Sequence, residues 1–109
     1  MILEIEEIDV KAGHEADFES AVERALPLFH AARGCRGVQL HRGIEQPTRY
    51  TLLVRWETLE DHTVGFRGSD AFTRWRALVS PHFDAPPRVQ HARPVLGGDP
   101  TVSSDRRRP

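Results

Sequence analysis

One cysteine, one methionine, one tyrosine and one lysine are all that 109 residues contain of those types. Cys35 alone can close no intramolecular disulfide and cannot complete a zinc site. Lys11 stands against fourteen arginines, a bias we attribute to the source genome rather than to mechanism. Neither sign of charge dominates: 15 basic and 16 acidic residues give a formal net charge of -1. That leaves no basic stripe for DNA or RNA. No apolar run approaches the roughly 18 residues that would cross a bilayer. The opening residues, Met1-Ile2-Leu3-Glu4-Ile5-Glu6-Glu7, are acidic and alternating, whereas a secretory signal needs a positive patch and then an unbroken apolar stretch. A phosphate loop and a G-x-S-x-G elbow are missing, as is any helical histidine pair at i, i+4. These absences predict a small cytoplasmic protein with no metal and no nucleic-acid or membrane partner.

What is present, 39% hydrophobic residues in a chain this short, supports one domain over residues 1–96, followed by a flexible tail at 97–109. Residues 2–10 read as a strand, with Ile2, Glu4, Glu6, Ile8 and Val10 on one face and Leu3 and Ile5 on the other. Lys11-Ala12-Gly13 makes a turn into a helix over residues 14–32. Its apolar stripe is Phe18, Val22, Ala25, Phe29 and Ala32, with a kink expected at Pro27 and a left-handed stop at Gly34. Residues 36–45, with Val38, Leu40 and Ile44 on one face, turn at Gln46-Pro47 into a strand over residues 50–56, a hairpin. Thr58-Leu59-Glu60-Asp61 resembles a capping box opening a short helix over residues 58–66. Ser69 caps another over residues 69–79, and residues 88–95 form a last strand.

The order strand, helix, strand, strand, helix, strand predicts a ferredoxin-like α+β fold: a four-stranded antiparallel sheet with helices on one face. Leu3, Ile5 and Leu53 then lie on the uncovered face. Burying them, at about 25 cal/mol per Å², is most simply done by a second copy, sheet against sheet, about a two-fold axis. A homodimer is the expectation.

Several residues carry chemistry. Leu59, His62 and Phe66 share a helix face by their spacing, which turns His62 toward the sheet. An imidazole there suits a general base; it equally suits a core histidine satisfied by one hydrogen bond. Phe72, Arg76 and Val79 lie at i, i+4 and i+7, so Arg76 is expected on the apolar side with Glu4, Glu6 or a ligand anion as partner. Otherwise it snorkels from the stripe's edge. Trp56, Phe66, Phe72 and Trp75 provide either core packing or the walls of a pocket for a flat ring. His82, beyond Pro81, is a candidate for the mouth of a cavity. His41 and His91 fall on strands.

Three stretches together, Val10-Lys11-Ala12-Gly13, Gly34-Cys35-Arg36-Gly37 and Val54-Arg55-Trp56-Glu57 with its continuation to Trp75, resemble the antibiotic biosynthesis monooxygenase family of small dimeric α+β barrel proteins. The resemblance covers most of residues 1–95. Within the family the spacing is most similar to quinone-forming monooxygenases of aromatic polyketide pathways. There a tryptophan ending the third strand lines the pocket, which implies Trp56, and an arginine on the last helix holds the substrate or donates a proton, which implies Arg76. A substrate-contacting tyrosine is replaced by His62 and a third-strand asparagine by Leu52. In the haem-degrading branch the key asparagine, tryptophan and histidine positions fall on Glu6, Phe66 and Arg76, which argues against haem chemistry.

The expectation is therefore a cofactor-independent monooxygenase that oxidises an electron-rich phenolic or polyketide-derived aromatic to a quinone with O2. His62 is the expected base and Arg76 the anion stabiliser. Trp56 joins them in the catalytic set, while Glu6, Leu52, Phe66, Phe72, Trp75 and His82 contact the ring. Glu6 doubles as a second base or the counter-ion of Arg76. Two alternatives stand beside it: a non-redox cyclase or isomerase, and a dimeric small-molecule-binding protein without catalysis.

Overall fold

Alternating and helical periodicities resolve into β1 (Ile2–Asp9), α1 (Glu15–His30), β2 (Cys35–Arg42), β3 (Arg49–Trp56), α2 (Asp70–Val79) and β4 (Arg88–Ala92). The computed structural model describes residues 1–97, so the expected tail lies outside the described residues except for Gly97. The strands form one antiparallel sheet in the order β2-β3-β1-β4, the ferredoxin-like α+β arrangement. Both helices lie on one face. β1 alternates strictly: Ile2, Glu4, Glu6 and Ile8 are buried beneath the helices, and Leu3, Ile5 and Glu7 are half-buried on the other side.

The core fills the space between sheet and helices. Phe18, Val22, Ala25 and Phe29 of α1 meet Ile8, Tyr50, Leu52, Val54 and Trp56 of the sheet and Trp75 and Val79 of α2. Three expected boundaries move. β2 ends at Arg42, because Gly43 N–H bonds the Arg49 carbonyl at 2.7 Å and starts the turn. Ile44 is thereby left in solvent rather than on a strand face. β4 stops at Ala92, two residues before Pro94, which has no N–H to offer a ladder. α1 runs through Pro27 to His30, and Ala32 lies in the closing turn.

Between β3 and α2 the chain does not form the expected α-helix. Thr58 Oγ1 accepts the Asp61 N–H at 3.1 Å, one half of the capping box. The helix then widens into a π-helical turn over Asp61–Phe66, with Arg67 N–H donating to the His62 carbonyl five residues back at 3.1 Å. The wider turn keeps His62 and Phe66 inward and swings Leu59 out to 39% exposure, correcting the shared face read from spacing. Such turns concentrate at functional sites. Gly34, with φ +82°, ends the first helical region as expected, and a side chain there would collide with the Asp61 carboxylate. Ser69 caps α2 by accepting the Phe72 N–H at 3.3 Å.

Candidate functional site

Strand alternation forces two carboxyls, Glu4 and Glu6, into the layer between sheet and helices, where water is scarce. A buried carboxylate without partners costs several kcal/mol or takes up a proton. Glu4 accepts a hydrogen bond from the Trp56 indole N–H, at 2.9 Å from Oε1, and a further bond joins it to Glu6. His62 stacks on Trp56 with ring centroids 5.5 Å apart and planes at 19°. Its Nε2 lies 3.4 Å from Glu4 Oε1, and its Nδ1 lies 2.8 Å from Nε2 of His91. Glu4, Glu6 and His62 are each at most 5% exposed.

Burial sets the protonation of this cluster. The pKa of Glu6 rises to about 8, first by loss of water, then by the charge of Glu4 and the hydrogen bond to it; Arg76 and Arg67 offset this only in part. Burial raises Glu4 as well, but the Trp56 N–H, the bond to Glu6 and the charge of Arg67 favour its ionised form. Both carboxyls therefore hold their protons to higher pH than an ordinary glutamate, and Glu6, with the charge of Glu4 beside it, does so up to about 8. His62 is pushed down to about 4 by burial, then by Arg67 and His91, so its ring is neutral.

A cavity of about 670 Å³ opens over this cluster, between α2, the π-turn and the segment leading into β4. Glu4, Glu6 and His62 line its polar side. Phe29, Phe66, Phe72 and Trp75 build an aromatic wall, with Phe29 stacked on Phe66 at 4.8 Å and set edge-on to Trp75 at 4.9 Å. Arg67 and Arg76 stand at the rim, both exposed.

Of the residues singled out from sequence, Glu6, His62, Phe66, Phe72, Trp75 and Arg76 meet at this cavity; Trp56, Leu52 and His82 do not. Trp56 is sealed beneath His62 and reaches the site only through Glu4. Leu52 is wholly buried in the core. His82 turns away and places its Nδ1 3.1 Å from Nδ1 of His14. Arg76 is not on the buried stripe, because Trp75, one residue earlier, takes the inward position. It lies over the edge of the wall, with Cζ 6.0 Å from the Phe72 ring centre. Burial lowers the His62 imidazole to about 4, which weakens it as a base. Sequence reasoning missed Arg67, which gave no signal, and His91, whose facing depends on the register of β4.

The family model for antibiotic biosynthesis monooxygenase matches residues 1–78, which span β1 to nearly the end of α2. The chain belongs to the antibiotic biosynthesis monooxygenase family. Its relatives include the uncharacterised protein YczJ of Bacillus subtilis (strain 168), 39% identical over 95 residues, which cover 87% of this chain and all of YczJ. Among solved structures, one from Bordetella bronchiseptica ascribed to the same family is 56% identical with a TM-score of 0.85, covering 87% of this chain and 97% of that one. A structure from Nitrosomonas europaea, at 18% identity, shares the fold with a TM-score of 0.76 over 88% of this chain and all of its own. The matched span of this chain, residues 1–78, includes Glu4, Glu6, His62, Arg67 and Arg76 and ends before His91.

Proposed function

We propose that this protein is a cofactor-independent monooxygenase that oxidises an electron-rich phenolic or polyketide-derived aromatic to a quinone, working as a homodimer. One observation carries the reading: a buried pair of carboxyls, Glu4 and Glu6, faces a cavity walled by flat rings and rimmed by two guanidinium groups, and burial pushes Glu6 toward its protonated form. The rings receive an aromatic plane. Arg67 and Arg76 favour the ionised substrate, as fixed cations do for a developing anion.

An ionised anthrone-type carbon, Ar2CH⁻, is electron-rich enough to pass one electron to O2. The radical and superoxide combine to Ar2CH–OO⁻, which takes the proton of Glu6. The Glu6 carboxylate so formed removes the remaining C–H proton as the O–O bond breaks, leaving Ar2C=O and hydroxide. Hydroxide takes a proton and leaves as water. The sum is Ar2CH⁻ + O2 + H⁺ → Ar2C=O + H2O. The protein binds the anion, excludes water and manages protons, with Glu6 as acid and then base. His62 holds Glu4 in place rather than acting as the base.

Leu3, Ile5 and Leu53 lie on the sheet face away from the helices, where a second protomer's sheet would cover them.

Oxygen uptake with an anthrone at pH 7 tests the reading. Wild type should consume one O2 per quinone formed. Glu6→Gln should lose about 100-fold or more in kcat, and Arg76→Ala should raise KM. Hydrogen exchange into the anthrone without oxygen uptake would replace the oxygenase by an isomerase. Binding with neither reaction would leave a binding protein.

A further inference from the structure

The cavity chemistry leaves one polar contact unused. His91 does not line the cavity, yet its Nε2 lies 2.8 Å from Nδ1 of His62, and it is the register partner of Glu4 across β1 and β4. Its ring is half-buried on an edge strand, one step nearer solvent than any other member of the cluster. We propose that Glu6, Glu4, His62 and His91 form a proton relay that leads from solvent beside β4 to the cavity, with His91 as its entry and Glu6 as its delivering group. This deepens the reading above, because Glu6 is the group it reloads.

With the His62 proton on Nε2, the geometry fits inward transfer. A neutral His62 keeps its proton on Nε2, the nitrogen facing the Glu4 carboxylate, so Nδ1 is a lone pair and His91 Nε2 must be the donor. Once Glu6 has given its proton to an oxygen anion in the cavity, two carboxylates stand side by side. That repulsion draws the Nε2 proton of His62 onto Glu4. His62 Nδ1 takes the Nε2 proton of His91, and His91 Nδ1 takes one from water. The proton on Glu4 passes to Glu6 through the bond that joins them. One proton has entered from solvent, every group has its starting charge, and the rings are left in their other tautomers; once product has left, His62 Nε2 regains a proton from water in the cavity while His62 Nδ1 passes one to His91 Nε2 and His91 Nδ1 gives one to solvent. The His62–Glu4 step, at 3.4 Å, is the open joint; catalytic hydrogen bonds are commonly long before a ligand is bound. The reaction written above lacks one proton per turnover, and a bound aromatic would block the direct route to Glu6. Arg67, at the rim, is the charged neighbour that acts on all four groups.

The test uses the full chain, labelled with 15N at histidine, without substrate, at pH 7. The His62 ring should show a protonated Nε2 and a bare Nδ1; the opposite tautomer overturns the relay. Exchange of the His62 Nε2 proton with water is then compared in wild type, His91→Phe and His91→Gln. Phenylalanine keeps the ring's bulk, and glutamine keeps a donor toward Nδ1 but passes no proton on. Exchange should slow by about tenfold or more in each variant that retains the wild-type amide spectrum. Equal or faster exchange, which a packing role gives, overturns the relay. If the phenylalanine variant does not fold, the glutamine variant decides. Neither readout requires oxygen or turnover, so the relay and the oxygenase reading fail separately.

Discussion

Glu6→Gln should remove a pH-dependence of stability that few other groups in this molecule create. In the native state Glu6 holds its proton up to about 8, against an ordinary value of 4.5. Below pH 4.5 both folded and unfolded chains are protonated there and the contribution is complete. As pH rises toward 8 the unfolded chain releases the proton and the folded chain does not, so stability falls. His62 runs the other way: native ionisation near 4 against 6.5 makes stability rise with pH, steeply below 6.5 and by only about 0.4 kcal/mol above it. Asp9 and His91, both lowered, act in the acid range too, while Tyr50, raised by burial and then by the Glu19 carboxylate, acts far above it. The window from 6.5 to 8 therefore belongs to the acid pair. At about 1.4 kcal/mol per pH unit, flattening close to 8, Glu6 costs roughly 1.5 kcal/mol across it, of which the two lowered histidines return up to about 0.8, so wild type should lose about 1 kcal/mol. Glutamine keeps the shape and hydrogen-bonding capacity of the protonated acid, so the variant should be flat or rise slightly and should equal or exceed wild type at pH 8. Urea unfolding at pH 6.5, 7.25 and 8 measures this directly. A wild-type curve that is flat or rising, or a variant with the wild-type slope, refutes the protonated Glu6 on which the cavity chemistry depends.

Trp56→Phe removes the indole N–H from Glu4 and should cost roughly 1–3 kcal/mol in urea unfolding at pH 7; unchanged stability would mean that the bond contributes nothing. Gly34→Ala meets both a positive φ and the Asp61 carboxylate. It should destabilise by about 1–2 kcal/mol from the backbone alone and by more from the collision, and Asp61→Ala added to it should return only the second part. Leu53→Glu places a charge at the centre of the open sheet face and should give a monomer in sedimentation, with amide signals around the cavity unchanged. A dimer that survives the charge would place the interface elsewhere.

The architecture was legible because its signals are local. Alternation in β1 put Glu4 and Glu6 on the face of Ile2 and Ile8, and Ser69 announced the start of α2. The site was legible in part. Spacing four apart chose Arg76 for the inward stripe, but spacing three apart, from Phe72 to Trp75, describes the buried face. Trp56 did point inward, yet the π-turn laid His62 over it, and no periodicity forecasts a turn wider than the α-helix. The facing of His91 is decided by how β4 pairs with β1, a contact across more than eighty positions of chain. The protonation states depend on burial, which residue types alone do not report.

Glu4 and Glu6 belong to β1, an interior strand with a partner ladder on each side: Glu4 stands opposite Val54 and His91, Glu6 opposite Leu52 and Val89. The arginines, by contrast, sit on exposed turns of the helical layer. Acid chemistry is thus anchored in the stiffest part of the molecule, and recognition in the part that tolerates exchange of residues. Descendants of this chain could trade one aromatic guest for another through changes at positions 67, 72 and 76 while inheriting the same acid unaltered.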